Sequence, residues 1–284
     1  MGENSSASDP PGALGAFLLP HGFSRLGAAE VLREGSVVAE AGRYAVRALD
    51  RRRHRGPTHA PPPRGGGPVV LVPGFLAGDV ALRGMARVLR RHGFRTYRST
   101  IHANVGCTVE ASELLEARIE AIAIRRGGRV QVVGHSLGGM LARGLAARRP
   151  DLISGIVTLG SPMLAPGAHH ILLTGAIEVV VRLSRAGLPG LMSADCVGGA
   201  CARAGFAESR EPLPPDVGFT SVFSMRDGIV DWRACLDPQA VAVEVRTSHT
   251  GMAVDPRVID VVSDALHRHA REASALEVDR GKSA

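Results

Sequence analysis

Lysine is almost missing from this chain. Lys282 is the only one among 34 basic residues, so the net charge of +7 rests on arginine. Aromatic side chains are scarce as well, with one Trp, two Tyr and seven Phe in 284 residues. So few rings give bases little to stack on, which argues against a nucleic-acid surface despite the basic balance. A solvated arginine-rich surface is the plainer account. No run of eighteen apolar residues occurs, and that leaves no candidate for an apolar membrane span. The opening "MGENSSASDPPGALGAFLLP" has no basic segment ahead of its short apolar patch, so it reads poorly as a secretory signal and points to the cytoplasm. The four cysteines, Cys107, Cys196, Cys201 and Cys235, contain no Cys-x-x-Cys pair and lack four-ligand zinc spacing. Reduced thiols are expected ahead of a local Cys196–Cys201 disulfide.

What is present suffices for a large core. Apolar residues make up 45 % of the chain, and no repeat of solenoid length interrupts it. Residues 1–67 read as an N-terminal extension, with amphipathic helical spacing over 24–53 and a Pro/Gly linker from about Gly56 to Gly67. Those helices are expected to cover the main domain rather than lie on a membrane. From Pro68 the rhythm changes to short β-branched runs alternating with helical stretches. "PVVLV", "FRTYRST", "RVQVVG", "ISGIVTLGSP", "FTSVFSM" and "AVAVEVR" are the strand candidates. Helices are expected near 78–92, over 108–126 with Thr108 as N-cap, after Ser136, and from Pro256 to Arg271, followed by a tail over 272–284. This order predicts an α/β fold, a mainly parallel sheet with helices on both faces and its ligand beyond the carboxyl ends of the strands.

Polar motifs fall at those strand ends. Gly134-His135-Ser136-Leu137-Gly138 matches Gly-x-Ser-x-Gly, a weak signal alone in a chain with 35 glycines. Its place between a strand and a helix is what makes Ser136 a candidate nucleophile. A serine hydroxyl needs a base, and His249 follows the last strand candidate. His135 adjoins the nucleophile and should point elsewhere; His267 and His269 read as surface residues of the closing helix. An acid must orient the histidine, and Asp227 stands nearest the end of its strand, with Asp231 as the second choice. The backbone N–H of Leu137 is one oxyanion donor, and the "VPGFLAGD" loop offers Phe75 first and Leu76 second.

With these residues in view, the chain resembles the α/β-hydrolase superfamily, in particular its bacterial lipase and esterase branch. The resemblance spans roughly residues 68–270 and rests on "LVPGF", "GHSLGGMLAR", "TLGSP", "RDGIVDW" and "SHTGM". It implies a hydrolase domain over 68–271 that transfers an acyl group to water. Ser136 would attack an ester carbonyl, His249 would relay the proton and Asp227 would orient His249. No metal or organic cofactor is implied. Pro73-Gly74 stands where the family commonly has His-Gly, which bears on the second oxyanion donor and not on the triad.

The insert 163–216 reads equally as a lid over an apolar pocket and as ordinary packing, with Met163 and Leu164 expected near the pocket mouth. The expected partner is a small ester or a lipid, with peripheral contact to a lipid surface in the lid reading. The same triad also serves an acyltransferase or thioesterase. A non-catalytic binding module would lack a triad member, and a surface binder would rest on Arg51, Arg52, Arg53 and Arg55.

Overall fold

A computed structural model describes residues 14–27, 29–53 and 66–282. The proline-rich part of the expected linker and Arg55 of the basic cluster lie outside these residues. The N-terminal segment carries a 3-10 turn over Glu30–Ser36 that runs into α1, Val37–Arg53.

The alternating unit follows. Strand β1 (Pro68–Val72) leads to α2 (Arg83–Arg91), β2 (Arg95–Arg98), α3 (Thr108–Arg126), β3 (Val130–His135), α4 (Leu137–Arg148) and β4 (Ile153–Leu159). Three helices then precede the next strand: α5 (Ile171–Arg185), α6 (Ala194–Gly198) and α7 (Ala200–Glu208). Strand β5 (Gly218–Phe223), β6 (Val241–Glu244) and α8 (Pro256–Lys282) complete the chain. Helix α8 continues through the stretch expected to be a tail. Cys107 rather than Thr108 is the N-cap of α3, without a side-chain capping bond, and Thr108 is its first helical residue.

All six strands pair in parallel in the order β2-β1-β3-β4-β5-β6. Strands β1 and β3 are buried on both faces because helices cover both sides. Side chains alternate between the layers. Val69, Leu71 and Val133 pack under Met85 and Leu89 of α2 and Val258 and Val262 of α8. Val70, Val72 and Val132 meet Leu115 and Ile119 of α3 and Leu145 of α4 on the other side. Each fully buried aliphatic side chain contributes about 1.5–3 kcal/mol of transfer free energy. Burial on both faces therefore stiffens the central strands whose ends carry the site.

The chain reverses its direction of travel across the sheet between β1 and β3, since β2 lies on one side of β1 and β4 beyond β3. Loops leaving the carboxyl ends of β1 and β3 diverge there and open a crevice. The loops after β5 and β6 end on the same rim.

His269 departs from the surface position expected of it. It is 2 % exposed, and its Nε2 pairs with Thr220 Oγ1 at 2.9 Å. Gly155 on β4 and Gly218 on β5 leave the space its ring fills, since a Cβ on either would strike that ring. His267 stays half-buried against Phe94, with ring centroids 4.4 Å apart.

Candidate active site

Strand β3 turns into α4 with a single residue between them. That residue, Ser136, takes φ 52° and ψ −121°, a backbone conformation that an L-residue holds only when its surroundings impose it. The flanking glycines explain why the sequence permits it. A Cβ on Gly134 would run into the backbone of Gly138 and Gly139, and one on Gly138 would strike the carbonyls of Val72 and Pro73. The Ser136 N–H donates to the Leu159 carbonyl at 2.8 Å, tying the turn to the end of β4. The hydroxyl sits at the N-terminus of α4, where partial positive charge collects.

His249 and Asp227 meet at the ends of β6 and β5. The His249 Nδ1–H donates to Asp227 Oδ2 at 2.7 Å, and both side chains are buried. Asp227 Oδ1 accepts the N–H groups of Ile229 at 2.8 Å and Val230 at 2.7 Å, so the carboxylate is held at both oxygens. Asp231 is engaged elsewhere. It pairs with Arg233 at 2.6 Å and caps the short 3-10 turn Trp232–Cys235. Burial alone would lower the His249 pKa, but the negative charges of Asp227 and then Glu34 outweigh it, and the net shift is upward. Among the described residues the Ser136 hydroxyl forms no hydrogen bond, so histidine and acid are joined while the serine stands free.

Several neighbours brace this pair. Gly160, just past β4 with φ 56°, abuts it: a Cβ there would lie 2.9 Å from His249 Nδ1 and 3.1 Å from Asp227 Oδ2. His135 is pushed down to about 4, mainly by burial and next by His249, and stays neutral. Its Nε2–H donates to the His249 carbonyl at 3.0 Å, so it fixes the loop that carries His249.

Two carboxylates of the N-terminal segment reach the same loops. Glu34 Oε1 accepts the N–H of His249 at 2.8 Å and of Gly228 at 3.0 Å, while Oε2 accepts the N–H and hydroxyl of Thr250. Glu40, 1 % exposed, accepts the N–H and hydroxyl of Ser248 at 2.9 and 2.6 Å. Neither glutamate was legible as a site residue, because each partner lies more than 190 positions away in the chain. Gly160 did carry a signal, since it sits inside "TLGSP" at the end of a strand candidate.

A cavity of about 430 Å³ opens at Ser136, lined by Leu137 and Phe75 and by apolar groups such as Met140, Leu173, Ile177 and Met192. Leu14 and Leu18 of the N-terminal segment also reach it. Met163 and Leu164 are not part of this lining. Met163 is packed into the interior, 1 % exposed, and Pro162 and Pro166 form that stretch of wall instead. In the loop after β1 the Leu76 N–H is spent on the Asn104 carbonyl at 3.3 Å, whereas Phe75 N–H makes no hydrogen bond among the described residues. A Cβ on neighbouring Gly74 would lie 3.1 Å from the Ser136 Cβ, so this loop lies against the serine.

The parallel sheet, with an elbow serine after β3, has the architecture of the α/β-hydrolase fold. A family profile for the alpha/beta hydrolase fold matches residues 67–178. The chain has the α/β-hydrolase fold and is similar in sequence to bacterial triacylglycerol lipases. It is 27 % identical over 170 residues to a triacylglycerol lipase of Vibrio cholerae, covering 56 % of this chain and 52 % of that one. A triacylglycerol lipase of Pseudarthrobacter phenanthrenivorans is 28 % identical over 104 residues, 34 % of this chain and 33 % of that one. The chain thus spans about half the length, or less, of these curated relatives. Its fold is shared with a Bacillus licheniformis lipase in mature form, at a TM-score of 0.57 and 14 % identity over 74 % of this chain and 96 % of that one.

Proposed function

We propose that the protein hydrolyses carboxylic esters with apolar acyl groups through an acyl-enzyme on Ser136. The observation that carries this reading is the buried Asp227–His249 pair, 2.7 Å apart, on the same rim of the sheet as an elbow serine that opens into an apolar cavity. Ser136 Oγ attacks the ester carbonyl as His249 Nε2 takes its proton. Asp227 holds Nδ1 protonated, which aims Nε2 at the serine and stabilises the imidazolium. The N–H groups of Leu137 and Phe75 receive the developing oxyanion; Leu76 is the weaker candidate because its N–H is already bonded. His249 returns the proton to the leaving alcohol, and water then repeats the sequence in reverse on the acyl-serine. No metal or organic cofactor enters these steps.

The insert supports an apolar substrate. Leu173 and Ile177 of α5 line the cavity, while Ile171, Leu172, Val179, Leu183 and Leu188 on and just after the same helix are exposed. An outer side that mixes these apolar groups with Arg182 and Arg185 suits a cover that meets a lipid surface. Among the described residues no helix is long and apolar enough to cross a membrane.

A series of p-nitrophenyl esters of rising chain length tests the reading, with Ser136→Ala as control. Turnover should favour the longer acyl chains and fall by about 10⁴-fold or more in the variant. Equal turnover by both proteins would sink it. Stronger activity on emulsified than on dissolved ester tests the lipid-surface contact.

A further inference from the structure

The cysteines, scattered in the sequence, are gathered by the fold. Cys107 at the start of α3 and Cys201 in α7 are 94 positions apart, yet their sulfurs lie 3.5 Å from each other. Cys196 of α6 completes a triangle in which all three sulfurs lie within 4.8 Å of one another. All three thiols are free and partly buried, and Cys235 stays apart in the interior.

We propose that Cys107, Cys196 and Cys201 form a thiolate site for a borderline divalent cation of the zinc class, which staples the insert to the N-terminus of α3. Tetrahedral zinc with sulfur at about 2.3 Å sets its ligands about 3.8 Å apart. The observed triangle brackets that edge, so the sulfurs close on an ion with adjustments of about an ångström or less. A disulfide would use two of these sulfurs and leave the third without a role. Three convergent sulfurs match what a thiophilic ion requires, and thiolates select zinc or cadmium over magnesium and calcium.

The surroundings suit an anionic cluster. Cys107 is the N-cap of the 19-residue α3 and has no side-chain capping bond, so the positive end of that helix faces the site. Ser193 Oγ lies 3.4 Å from Cys196 Sγ on the other side. The nearby Asp195 carboxylate is spent on the N–H groups of Ala200 and Cys201 and holds the α6–α7 turn in place. No fourth His, Cys, Asp or Glu joins the cluster among the described residues, which leaves the fourth position to water or a small anion.

The site adjoins the cavity wall through Cys196. Thr108, Val109 and Ser112 of α3 line the cavity from one side, and Cys196, Val197 and Ala202 from the insert. A cation bound by the three thiolates cross-links those two walls and stabilises the folded chain by mass action. The proposal stands apart from ester hydrolysis, since none of its observations involves Ser136, His249 or Asp227.

The test uses the full chain, reduced and freed of metal. Added Cd2+ should produce a sulfur-to-metal absorption band that saturates at one equivalent and is displaced by Zn2+. Zn2+ should also raise the Tm and shield Cys107, Cys196 and Cys201 together from alkylation, as read by peptide mass spectrometry. Cys107→Ser, Cys196→Ser and Cys201→Ser should each weaken the band and abolish the Tm rise. The absence of a band in the wild-type chain overturns the proposal. So does alkylation of the three thiols unchanged by Zn2+, a measurement that depends on no variant.

Discussion

Both oxygens of Asp227 are committed, one to His249 and the other to the N–H groups of Ile229 and Val230. An amide in its place can keep the geometry but turns a donor or a weaker acceptor toward Nδ1, which favours the wrong imidazole tautomer. Asp227→Asn should therefore lower kcat by about 10³–10⁴-fold, with Asp231→Asn close to wild type, both read on a p-nitrophenyl ester. A larger loss from Asp231→Asn would reassign the acid. The upward shift of His249 sets the pH response, because the base works only when neutral. The acid limb of kcat/KM should lie above the ordinary histidine value of about 6.5. Glu34 is one cause of that shift, so Glu34→Gln should move the limb to lower pH. An unmoved limb would show that Glu34 acts only as a brace. At this scale the sequence placed Ser136 directly after β3 and Asp227 and His249 in the loops that follow β5 and β6, where the structure also has them. It misled at Met163, because adjacency to a strand end does not reveal which way a side chain turns.

Elements were easiest to read where the burial pattern is uniform. Strand β1 announces itself as a continuous apolar run and β3 as a mostly apolar one, and α3 ends on Gly127 in the left-handed region at φ 65°. Helix α1 was visible as an amphipathic stretch, but what it grips was not. Arg43 pairs with Asp255 at 2.7 Å and Arg47 with Asp260 at 2.7 Å, joining α1 to the start of α8. Burial raises the Asp255 carboxyl, but Arg257 and Arg43 outweigh it and the net shift is downward. A lowered native value means the contribution is complete above the unfolded carboxylate pKa of about 3.9 and disappears as pH falls through the native value. Thermal unfolding of Asp255→Asn should thus fall below wild type at neutral pH, with the gap closing under acid. A gap independent of pH would remove Asp255 from that linkage. The linkage was hidden for the reason that hid Glu34 and Glu40: ion pairs between distant segments leave no local pattern.

Across the whole molecule, the doubly covered parallel sheet was legible because strands and helices alternate through the chain. The insert was legible only as a segment, since its three helices acquire meaning from the cavity they wall. One consequence concerns time rather than geometry. The clasp of Glu34 on His249 and Thr250 joins positions 215 and 216 apart, so it closes one of the longest loops this chain can form. Loop closure over such a separation is expected late, after the sheet has formed through nearer contacts. The only tryptophan, Trp232, stacks on Phe223 at the end of β5 with ring centroids 5.6 Å apart, and its emission follows assembly of the sheet rim. On refolding from denaturant, Trp232 fluorescence should recover before esterase activity, and Glu34→Gln should widen the interval. Simultaneous recovery in both proteins would mean that the ends of the chain meet before its middle is built. A measured interval would instead make esterase activity a clock for the return of the N-terminus.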